Sequence, residues 1–80
     1  MKVLKQWTDR KLRKLKQFSE IEIRDGSVSI IGFANITGET TTAAHNFKNY
    51  CLNNNIIKEV VKSRYGITDF GKSILEENNE

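Results

Sequence analysis

The sequence predicts a small α+β domain, and three stretches predict it. Residues 8–19 combine helical apolar spacing with a dense run of lysine and arginine. Residues 37–54 read as a sharp turn followed by a helix. Residues 56–62 are a β-branched run that reads as a strand, with a last helix after it. The chain has 80 residues, 38% hydrophobic and 29% charged, which suits one globular domain spanning 1–80.

The first helix starts at Trp7-Thr8-Asp9. Thr8 can cap it, Asp9 favours the positive end of the helix dipole, and Trp7 can staple onto Leu12. Leu4, Trp7, Leu12, Leu15 and Phe18 share one arc of the helical wheel, with Lys11 intruding. The first 16 residues hold seven basic groups (Lys2, Lys5, Arg10, Lys11, Arg13, Lys14, Lys16) against Asp9 alone, a balance of +6. The remainder holds six basic and nine acidic groups, so the chain's +3 is concentrated at one end. Such asymmetry points to a polyanionic partner.

Residues 20–33 admit two readings. Apolar alternation around Asp25-Gly26 signals a β-hairpin. Ile30, Phe33 and Ala34 have helical spacing instead, giving a short strand and then a helix from about Ser29 to Ile36. The second reading leads directly into Thr37-Gly38 and is the one adopted.

Gly38 can take a positive φ at low cost, so the chain can reverse there. Thr40 caps the next helix, expected to run to about Asn54. Ala43, Phe47 and Tyr50 recur at i, i+4 and i+7 and form its inward face. Thr41, Thr42, Ala44, His45, Lys48 and Asn49 are left outward, a small polar surface that suits base edges in a major groove. Asn53-Asn54-Asn55 can end the helix, because asparagine tolerates the left-handed conformation. Ile56 to Lys62 reads as a strand, Ser63 to Gly66 as a turn, and Ile67-Thr68 as a brief extended segment. Thr68 or Asp69 caps a last helix carrying Ile74 and Leu75. The acidic tail, about 76–80, is expected to fray.

In this order the chain from about Asp25 to Leu75 resembles a winged helix-turn-helix domain. Gly26-Ser27-Val28-Ser29 looks like the family's short first strand. Phe33-Ala34-Asn35-Ile36-Thr37-Gly38 is similar to its pattern of an alanine four residues before the turn glycine. Asn55-Ile56-Ile57-Lys58 looks like the exit from the recognition helix. Tyr65-Gly66-Ile67-Thr68-Asp69-Phe70-Gly71 resembles the aromatic-x-aliphatic-Thr-x-x-Gly close of the wing. The chain departs from the pattern at Asn55, where glycine is usual, and at Gly32 inside the second helix. Its third helix has a single basic residue, Lys48.

The resemblance implies a three-helix core, a short β-wing and a C-terminal helix. It implies sequence-specific binding of double-stranded DNA by a small transcriptional regulator. Thr41, Thr42, His45, Lys48 and Asn49 would face the major groove. Lys62 and Arg64 in the wing, and backbone amides near Thr40, would hold phosphates. One domain offers few contacts, so a homodimer on a two-fold site is expected. Size and the lack of a ligand domain fit a phage, plasmid or viral regulator. The rival is a protein-interaction module without DNA binding, for example a phage-type inhibitor of a host protein.

Composition argues against other classes. Cys51 is the single cysteine, so no intramolecular disulfide forms, and it is expected to pack as a small hydrophobe. His45 is the single histidine and has no carboxylate at i±3 or i±4. No catalytic pair, metal set, small-molecule ligand or cofactor follows from these spacings, so an enzyme is not expected. No membrane-spanning run or signal peptide is visible, which makes the cytoplasm the expected compartment.

Overall fold

Phe18 and Ile21 extend the buried stripe begun at Leu15, and that stripe decides how far the first helix runs. In the structure, a computed structural model describing residues 8–77, α1 spans Asp9–Asp25. This corrects the expected end near residue 19 and excludes a hairpin over 20–33. Ile21 is 6% exposed and Ile23 82% exposed, so the two do not share a face as alternating strand residues would. Two residues along a helix turn by about 200°, which puts them on opposite faces, as observed. Thr8 Oγ1 accepts from the amide of Lys11, as a cap should, and Gly26 ends the helix at φ 87°. The proposed Leu4 and Trp7 contacts, with Lys2 and Lys5, lie outside the described residues, as do residues 78–80.

Val28 is a single-residue bridge to Tyr65. α2 follows at Ile30–Thr37, capped by Ser29, whose hydroxyl accepts from the Gly32 amide. Gly32 therefore sits in the first turn and does not interrupt the helix. Gly38 takes φ 77° and closes α2 by donating to the Ala34 carbonyl. After residues 38–40, α3 runs Thr41–Asn53, with Thr40 Oγ1 accepting from the Ala43 amide.

α3 ends through Asn54 and Asn55, the latter at φ 59°. The hairpin is β1 (Ile57–Val61) against β2 (Arg64–Ile67), antiparallel. Its turn lies at Lys62-Ser63, and residues 64–66, expected as turn, are strand. The register slips between Glu59 and Val61, leaving Val60 as a bulge. Ser63 takes φ 64°, and its amide donates to Glu59 Oε2. α4 (Asp69–Glu77) closes the chain, its first turn capped by Thr68 Oγ1, which accepts from the Gly71 amide.

The described residues thus form an α+β domain of four helices and a two-stranded antiparallel sheet. Phe33 sits at the core's centre. It meets Phe18 edge-on at 5.4 Å and stacks on Phe47 at 5.7 Å, joining α1, α2 and α3. Ile56, Ile57, Ile67 and Ile74 carry the same core under the sheet and α4.

Contacts from Glu22 and Thr68 help hold the hairpin to the rest of the fold. Glu22 Oε1 on α1 accepts from the Ile67 amide at 3.0 Å, on the side of β2 away from β1. A carboxylate there takes the place of a strand partner. Gly66 makes room for it, since a Cβ at that position would meet Glu22 Oε2 at 2.5 Å. At the other end Thr68 Oγ1 donates to the Asn55 carbonyl at 2.6 Å, and its amide donates to Ile56 O at 3.0 Å. Gly71 packs so closely that a Cβ would run into the carbonyl oxygen of Ile56 and lie 2.7 Å from Ile67 Cγ2. The Thr-x-x-Gly spacing is thereby explained: the threonine bridges the loop, and the glycine lets α4 approach it.

Candidate nucleic-acid interface

Ala44, Phe47 and Cys51 are the buried residues of α3. The buried face is therefore turned slightly from the expected one. Ala43 and Tyr50 are half-buried at its flank, and Ala44, expected outward, is fully buried. Its methyl packs in the core. The opposite face, at about 100° per residue, centres on Thr42 and Asn49, with His45 and Asn46 on either side. All four are exposed. Among the described residues, none of these four side chains is held by a hydrogen bond or ion pair.

Asn46 is the residue that the sequence reading missed. Its signal was present: it lies at i+4 from Thr42 and i−3 from Asn49. Centring the apolar face on Phe47 and Cys51 exposes it; centring on Phe47 and Tyr50 hides it.

Thr40 and Thr41, at the start of α3, are exposed, with Thr40's hydroxyl engaged in the cap. Lys48 is half-buried and places Nζ 5.7 Å from the Tyr65 ring centre, so it leans toward the hairpin. Lys62 is exposed in the hairpin turn. Arg64 is engaged elsewhere: Nε donates to Ser27 Oγ at 2.6 Å and Nη2 to the Ser27 carbonyl at 3.1 Å. It ties β2 to the segment between α1 and α2. Nearby, the hydrogen-bonded Arg24 guanidinium holds the Asp25 carboxyl below its ordinary range, and the charge of Arg64 adds to this.

The basic residues of α1 divide into two groups. Lys11 places Nζ 4.3 Å from the Tyr50 ring centre, and Lys14 lies 5.4 Å from that of Phe47. Lys14 also pairs with Glu39 at 2.8 Å, and Arg10 approaches the same carboxylate at 4.0 Å. Lys11 and Lys14 thus line a cleft between α1 and α3 whose far wall includes Asn46. Arg13 and Lys16 lie on another side, beside α4. The outward stripe of α3 is therefore bordered on one side by the lysines of α1 and on the other by Lys48 and the hairpin.

Cys51 is fully buried, and burial pushes its thiol up to about 12, against smaller opposing effects of Lys11 and Lys14. A thiol held neutral is a packing group, not a nucleophile. Among the described residues no group of histidine, cysteine and carboxylates is placed to hold a metal ion. No described helix is long and apolar enough to cross a membrane.

No protein-family model matches the chain, and no curated protein or solved structure matches it.

Proposed function

We propose that this chain is a small winged helix-turn-helix protein that binds double-stranded DNA in sequence-specific fashion, as a transcriptional regulator does. The observation that carries the reading is the outer face of α3. Thr42, His45, Asn46 and Asn49 are exposed, uncommitted and chemically matched to base edges. Positive charge borders that face on both sides, from Lys11 on α1 and from Lys48 toward the hairpin, while Lys14 is paired with Glu39. The order of elements supports the same reading, with Val28 bridging to Tyr65 as the short first strand, α2 and α3 across a tight turn, and a hairpin wing. Asn46 and Asn49 each offer the paired donor and acceptor that adenine requires, and the Thr42 methyl suits thymine.

The phosphate contacts are assigned to Lys11, Lys62 and the amides at the start of α3. Arg64 serves the wing mainly by anchoring it to Ser27. The test is titration of random duplex DNA over a series of salt concentrations. Lys11→Ala and Lys62→Ala should each flatten the logarithmic salt slope by ~1, and Lys62→Ala should do so without lowering the melting temperature. Binding that ignores salt, or no binding at low salt, overturns the proposal.

A protein-partner reading draws on Ile31 and Val61, which are 66% and 58% exposed. Loss of function on substituting these two, with DNA affinity intact, would favour it.

A further inference from the structure

Among the described residues, α1 has a second uncovered surface, facing away from the α1–α3 cleft. Leu12 and Ile23 on α1 and Leu75 on α4 line an open groove of about 480 Å³. Ile23 at its end is 82% exposed, the most exposed large apolar side chain described. The charged residues of the groove are Arg13 and Lys16 on one side of the balance and Glu20 and Glu76 on the other. Their formal sum is zero, with Glu76 contributed by α4. A neutral, apolar-floored groove is poorly suited to a polyanion.

The arrangement along α1 is self-complementary. The midpoint of Leu12 and Ile23 falls between positions 17 and 18. The midpoint of Lys16 and Glu20 falls at position 18, only ~0.75 Å further along at 1.5 Å rise per residue. A two-fold axis lying beside α1 at the groove surface, level with that point and perpendicular to the helix, places Leu12 beside the second copy's Ile23. It also places Lys16 beside the second copy's Glu20, and each contact occurs twice. Apolar and ionic matches therefore select the same antiparallel register, with Leu75 flanking the seam.

We infer that this groove is the seam of a homodimer, occupied by α1 of a second copy. The inference is independent of the DNA-binding reading, because the test is performed without nucleic acid. Sedimentation equilibrium across a wide concentration range should show a reversible species of twice the 9.2 kDa chain mass. Ile23→Asp should abolish it, while circular dichroism and the melting temperature stay unchanged, since Ile23 contributes little to the core. Lys16→Glu and Glu20→Lys should each weaken dimerisation about tenfold or more, because each creates two like-charge contacts. The double variant should restore the wild-type constant, and mixing the two single variants should give a heterodimer. A chain that stays monomeric overturns the inference and leaves the groove to residues 1–7 or to a different protein. A dimer indifferent to the charge exchange also overturns it, because the seam then lies elsewhere.

Discussion

Replacing Gly71 by alanine should loosen the junction that fixes the hairpin and α4 against the helical core. The added Cβ would run into the Ile56 carbonyl oxygen and sit 2.7 Å from Ile67 Cγ2. Backbone cannot rotate out of the way as a side-chain end can. The cost therefore belongs at the upper end of the ~1–3 kcal/mol typical of overpacking. Alanine recovers at most ~1 kcal/mol of helix propensity. The net loss is ~2 kcal/mol, a large share of the ~4–12 kcal/mol expected for a chain of this length. Urea denaturation should show it as a midpoint lower by ~1–2 M, and thermal melting as a fall of ~8–16 °C. Gly32→Ala supplies the internal control. There the new Cβ meets only Ser29 Oγ, at 2.9 Å. That hydroxyl can rotate, giving up a cap of ~1 kcal/mol for a similar gain in propensity, so the change should be near zero. If Gly71→Ala is as stable as Gly32→Ala, close approach is not what places a glycine at 71.

Other outcomes follow from the same contacts. Glu22→Ala removes the acceptor of the Ile67 amide and should cost ~1–3 kcal/mol, with faster hydrogen exchange at that amide; Glu22→Gln keeps an acceptor oxygen and should lose much less. Equal losses for the two variants would show that the contact contributes through charge or packing instead. Cys51 should resist thiol reagents in the native protein and react once it unfolds. Its folded pKa lies above the ordinary 9.0, so the stability linked to the neutral thiol is intact below pH 9 and lost as pH rises toward about 12. Comparing wild type with Cys51→Ala cancels the lysines and tyrosines that titrate in the same range. A wild-type advantage that does not shrink over this window would contradict the burial.

The helices were legible where capping and periodicity agree. Ser29 and Thr40 are caps with a side-chain oxygen, Gly38 is a turn residue with positive φ, and each acts as its residue type predicts. The end of α1 was not legible, because Ile21 and Ile23 alternate in sequence whether the backbone is strand or helix. Only Phe18 and Ile21 packing on the core distinguishes them. The facing of α3 was off because Ala43 and Ala44 are chemically equivalent. What settles their positions is the phase of Phe47 against Phe33, a tertiary contact. Arg64 illustrates the limit for function. Its type and place in the hairpin suit a phosphate, yet its partner is Ser27, distant in sequence and visible only in the fold.

The central claim is that the outer face of α3 reads a DNA sequence, and paired titrations test it most directly. A duplex chosen by site selection is compared with a scrambled duplex of the same composition at one fixed salt concentration. Wild-type protein should prefer the selected duplex. Asn49→Ala should lose ~1–3 kcal/mol on it and little on the scrambled one. Asn46→Ala, beside it on the same face, should behave in the same way. Equal binding of wild-type protein to both duplexes, or binding to neither, would contradict the account.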